Sequence, residues 1–160
     1  MSFAGPHGIK PTVATSDQRH SLLQMAWTAD GVFVYGQANG ALTQYDAVKV
    51  DNDGQLTPLT TTISGSEPTA VGAVQAASFS DNYYGWAFRG LGGGSGKGIK
   101  VNVLASCAAD VKIYTTATAG SLDDTAADCV QGVCLVTGVG GSAAAAEVWA
   151  AGLMTTNSET

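Results

Sequence analysis

Charge is scarce in this 160-residue chain. Asp, Glu, Lys and Arg make up 12% of it, about half the roughly 25% usual in soluble domains. The 7 basic residues are outnumbered by 13 acidic ones, for a net charge of −6, and no basic stripe runs along the chain. Recognition of nucleic acid through its phosphates is therefore not expected. No apolar run approaches the roughly 20 residues that cross a bilayer as a helix, so no membrane partner is expected. The first 20 residues show no positive cluster followed by an apolar stretch, so no secretory signal is visible. Disorder needs low hydrophobicity and high net charge, and a chain 45% hydrophobic does not fit it. The length suits one domain.

Reactive residues are equally thin. The two histidines, His7 and His20, lie near the N-terminus, away from any Ser or Cys in a recognisable signature, and no G-x-S-x-G occurs. Neither a catalytic residue nor a cofactor is expected, and the chain reads as no enzyme. The three cysteines are Cys107, Cys129 and Cys134. A single Cys-x4-Cys pair is weak for zinc, so no metal is expected. Cys129 and Cys134 either close a small disulfide loop in an oxidising medium or, like Cys107, serve as small buried hydrophobes.

What the chain does have is alanine (25), glycine (21) and threonine (17), with short β-branched and aromatic runs. Residues 1–21, with Gly5, Pro6, Gly8 and Pro11, read as an extended arm. Residues 22–154 read as a β domain and 155–160 as a disordered tail. Val32–Tyr35 is a strand. Val48 and Val50 alternate with Lys49 and Asp51, and Asn52-Asp53-Gly54 supplies turn chemistry before Gln55–Leu59, where Pro58 marks a strand end or edge. Val71–Gln75 is short and apolar. Trp86 and Phe88 share a face, as do Ile99, Val101 and Val103, and then Val111 and Ile113. Runs spaced by about 8–12 residues predict an all-β fold, a single compact sandwich or small barrel-like domain. Ser142 onward suits a helix by alanine propensity or a strand by period two, with Ala146, Val148 and Ala150 on one face.

Four patterns invite a site. LGGGSGKG (91–98) suggests a phosphate loop, but Gly90 is one residue too far from Gly96-Lys97. Gly98 also stands where Ser or Thr would bind magnesium, so the run reads as a hairpin loop joining Trp86–Arg89 to Ile99–Leu104. Asp51/Asp53 and Asp123/Asp124 sit in turn-like sequence and read as turn caps. Asp51–Gly54 fails as a calcium loop, because Lys49 takes the first ligand position and no Glu ends it. Tyr83, Tyr84 and Trp86 form the densest aromatic cluster. They are either a sugar-binding platform or anchors of a strand start.

Two stretches go further. Gln44-Tyr45-Asp46-Ala47-Val48 through Leu56-Thr57-Pro58-Leu59, then Val71-Gly72-Ala73-Val74-Gln75-Ala76-Ala77, resembles the head decoration (cement) proteins of tailed bacteriophages. So do Ser80-Asp81-Asn82-Tyr83-Tyr84-Gly85-Trp86, Val103–Val111 and Tyr114–Asp124. The resemblance covers about residues 28–150. Gly90–Gly98 stands out as an insertion, and Cys129 and Cys134 as particular to this chain. The resemblance implies a strand at Glu147–Ala151 and a non-enzymatic virion protein on the capsid surface, made in the bacterial cytoplasm. It also implies the major capsid protein as partner and a homotrimer. On that reading the arm lies on the shell, and its apolar Phe3, Ile9 and Val13 are the candidate capsid contacts. A tail-tube or head-fibre subunit and a carbohydrate-binding β-domain are the alternatives.

Overall fold

The computed structural model describes residues 8–65, 69–125 and 127–157. Among these residues thirteen strands and one short helical turn follow in chain order. They are β1 (Met25–Thr28), β2 (Gly31–Ala38), β3 (Leu42–Thr43), β4 (Ala47–Val50), β5 (Gln55–Pro58), α1 (Thr61–Ser64), β6 (Thr69–Val74) and β7 (Ser78–Phe79). Then come β8 (Tyr84–Gly93), β9 (Lys100–Val103), β10 (Ile113–Thr115), β11 (Ser121–Asp123), β12 (Cys129–Leu135) and β13 (Ala144–Asn157). The fold is all-β and compact, as the spacing of apolar runs predicts.

The pairings β2–β5–β4–β6–β13–β8 return to β2 and close a six-stranded barrel. Strand β13 is its seam. Along one edge it pairs in turn with β9, β8 and β6, and along the other with β12. Strands β12, β10, β11 and β9 form a second run that also returns to β13. Strand β1 pairs with β2 alone and leaves an edge without a strand among the described residues.

Two apolar cores explain the sequence of the central strands. Val34, Val48, Leu56, Val74 and Ala87 pack as one cluster, Phe33, Tyr35, Val71, Ala73, Trp86 and Phe88 as part of another. Successive side chains of a strand point to opposite faces, so β2, β6 and β8 are buried on both sides. That is why Val32–Tyr35 reads as a continuous apolar run. Ile99, Val101 and Val103 bury one face of β9, and Ala146, Val148 and Ala150 that of β13. The period of two wins over alanine's helix propensity, because the pairings of β13 satisfy its backbone from both sides.

Three sequence expectations need correction. Strand β13 continues through Thr155–Asn157, with Thr156 fully buried, so the tail does not begin at 155. Val111 does not share a face with Ile113. It is exposed and outside β10, because Asp110 adopts a positive φ (57°) that breaks the extended run. The glycine run is not a loop of a β8–β9 hairpin either. Gly90 to Gly93 belong to β8, and β13, not β9, lies beside them. The close approach is the reason for glycine: at Gly90 (φ +126°) a Cβ would collide with the Gly152 carbonyl, and at Gly92 with that of Asp30.

The seam creates one unusual position. Strand β8 pairs with β6 at Ala73↔Phe88, but two residues on it pairs with β13, at Leu153↔Gly90. Arg89 lies at that fork, 9% exposed. Its Nη1 donates to the carbonyls of Val71 (2.9 Å) and Met154 (3.2 Å), one on each strand of the fork.

Candidate interaction surface

The N-terminal segment is the surface that the sequence nominates for contact with a partner. From residue 8 onward it lies against its own domain. Thr15 makes an isolated antiparallel bridge to Tyr84, donating and accepting at 2.9 and 2.8 Å. The Arg19 amide donates to the Tyr35 hydroxyl at 3.0 Å. The His20 ring stands edge-on to Tyr35 and Trp86, with centroids 5.0 and 5.1 Å away. Leu23 N–H donates to the Tyr35 carbonyl, leading into β1. From residue 8 the segment is extended because Gly8 and Pro11 discourage a helix, and it is held by aromatic residues of β2 and β8.

The three nominated contacts separate here. Ile9 is buried in the main core at 3% exposure and spends its side chain on this domain. Val13 is 46% exposed and faces outward. Phe3 lies outside the described residues, as does His7. The segment and the barrel enclose a shallow groove of about 160 Å³, with Lys10, Val13 and Arg19 on one side and Tyr84 on the other.

The aromatic cluster does not form a three-ring platform. Trp86 is buried, whereas Tyr83 is exposed. Tyr84 stacks on Tyr35 with its hydroxyl accepting from Gln37 Nε2 at 3.1 Å. Asn82, with a positive φ of 62°, makes the turn that starts the strand. Anchoring the strand start is what these rings do.

The glycine turn after β8 does hold an anion, but one from this chain. Gly96 and Gly98 amides donate to the two carboxylate oxygens of Glu147 at 3.1 and 3.2 Å, and Lys97 reaches Asp30 at 3.8 Å. The amides that suggest a phosphate cradle are thus occupied by the protein's own acid.

The carboxylate pairs have similar local duties. Asp53 accepts from the Gln55 amide within the β4–β5 turn, and Asp51 pairs with Lys49 at 2.7 Å. Asp124 accepts from the Ala108 amide, and Asp123 from the Asp124 amide. Both approach the buried Cys107 thiol, with the three candidate ligand atoms within 4.8 Å. Burial first, then the charges of Asp124 and Asp123, push that thiol up to about 11. A thiol that keeps its proton is a poor nucleophile and a poor metal ligand. Cys129 and Cys134 lie on one strand, five residues apart. At about 3.3 Å per residue their Cα atoms are well beyond the roughly 7 Å limit of a disulfide. The small disulfide loop is therefore excluded in this fold, and none of the three cysteines is in a disulfide.

Comparison with family models, with curated proteins and with solved structures finds no match for this chain. Sequence reading missed two structural features. Ile9's burial has no signal in a segment rich in Gly and Pro. Arg89 did have one, as a lone cation on the alternate face of the apolar run Trp86-Ala87-Phe88.

Proposed function

We propose that the chain is a non-enzymatic structural protein of a tailed-phage virion, one that binds the outer capsid surface and stabilises the head. The observation that carries this reading is the resemblance over about residues 28–150, whose strings fall on strands and turns of a single all-β domain. A protein of this kind needs a rigid core and a surface that lies on the shell. The rigid core is the doubly buried set β2, β6 and β8. The contact surface comprises the outward side of the N-terminal segment, with Val13, and the open edge of β1, where an added strand would gain main-chain hydrogen bonds. The major capsid protein is the partner, the capsid surface the location, and a homotrimer the assembly. Many copies around a shell turn modest contacts into a large total stabilisation.

The test is head stability. Purified protein added to heads that lack it should raise the temperature at which they release DNA. No rise at saturating protein would remove the cement role. Rings or fibres formed by the protein alone would favour a tail-tube or head-fibre subunit instead.

A further inference from the structure

At the fork of β6, β8 and β13 the barrel mouth opens into a cavity of about 580 Å³, within the roughly 300–1,000 Å³ of small-molecule sites. Val34 and Val50 are its buried walls, at 2% and 8% exposure, and Leu23 and Met25, at 39% and 38%, line its entrance. Ala70 completes the apolar half of the lining, Asp51 and Asn52 are polar, and Arg89 is the cation within it.

The state of Arg89 is unusual for a buried charge. A guanidinium carries five N–H donors. Nη1 is committed to the Val71 and Met154 carbonyls. Among the described residues, Nε and Nη2 have no acceptor, and neither is sealed from solvent, because no enclosed side-chain nitrogen lacks a partner. Among the described residues no acid is paired with it: Asp51 pairs with Lys49 and Asp30 with Lys97. Burial alone lowers its pKa from the usual value, with no carboxylate raising it. Buried charges are ordinarily paired. A structural role in holding two carbonyls uses one nitrogen and does not explain the open cavity around the others.

We propose that the barrel mouth is a binding site for a monocarboxylate bearing a single apolar chain, with the carboxylate held by Nε and Nη2 of Arg89 and the chain lying along Val34, Val50, Leu23 and Met25. A planar guanidinium offers two parallel N–H groups to the two oxygens of a carboxylate. One cation, in a protein of net charge −6 with Asp51 also at the cavity, matches one negative charge and disfavours a polyanion. The apolar half of the wall, from Leu23, Met25, Val34, Val50 and Ala70, favours a tail on the carboxylate. This site does not rest on the capsid reading, although Met25 of β1 borders both surfaces.

The probes are decanoate below its micellar concentration, decanol and acetate, measured by titration calorimetry on the full chain. Decanoate should bind saturably at one per chain, at least tenfold more tightly than decanol, with acetate giving no measurable heat. Arg89→Met, which keeps an unbranched stem, should weaken decanoate at least tenfold while its unfolding curve stays cooperative. Should that variant not fold, Leu23→Asp serves. Leu23 has a positive φ of 63° that Asp tolerates, and an acid at the entrance should weaken decanoate several-fold more than it weakens decanol. Equal binding of decanol and decanoate, acetate binding as tightly as decanoate, no saturable binding, or full binding by a folded Arg89→Met would each overturn the proposal.

Discussion

Asp46 shows how a charge-poor chain uses the few charges it has. It is 7% exposed, and its carboxylate accepts from the Thr43 amide at 2.7 Å, the Thr43 hydroxyl at 2.6 Å and Asn102 Nδ2 at 3.0 Å. This ties the β3–β4 turn to β9 across 56 residues. In Asp46→Asn an amide N–H₂ must face one of those donors. A loss of about 1–3 kcal/mol is expected, read as a lower urea midpoint without a change in slope. Cys107 gives a second residue-scale prediction. Its folded pKa of about 11 lies above the ordinary 9.0, so the folded state holds the proton more tightly than the unfolded chain. Its contribution is therefore intact below about pH 9 and lost as pH rises from 9 to 11. Cys107→Ala should flatten that fall in a urea series across the window, and an unchanged fall would assign it to other groups.

At the scale of elements, the glycines of 90–98 divide into two kinds that the sequence does not distinguish. Gly90 is needed for close approach as well as for its φ, since a Cβ meets the Gly152 backbone. Gly96 (φ +73°) has open space around it. Gly90→Ala should cost about 4 kcal/mol or prevent folding, whereas Gly96→Ala should cost about 1 kcal/mol. Thermal unfolding of the two variants separates them, and equal losses would contradict the packing role of the seam. Strand positions were legible because period two is local: Val48/Val50, Ile99/Val101/Val103 and Ala146/Val148/Ala150 each announce a buried face. What was not legible depends on distant partners. The glycine run becomes strand only because β13, more than 50 residues later, lies beside it, and Arg89 becomes a buried cation only because two strands part there. Ile9 is likewise hidden, since its pocket is built from residues far along the chain.

For the whole molecule, the burial of Ile9, the Thr15–Tyr84 bridge and the His20 ring contacts make the N-terminal segment part of the fold. Deleting residues 1–21 should therefore lower the melting temperature, by several degrees for about 2 kcal/mol, and so would confuse loss of a capsid contact with loss of the domain. Val13→Asp is the cleaner probe. It changes an exposed side chain, should leave the melting temperature within a degree or two, and on the capsid reading should weaken attachment to heads.

The most direct measurement is co-sedimentation of the purified chain with mature heads that lack it, across a range of protein concentrations. Saturation at a fixed ratio to the major capsid protein, with the Val13→Asp variant saturating later, is the expected result. Absence of the chain from the head pellet at every concentration, with the domain folded, would contradict the capsid-binding role.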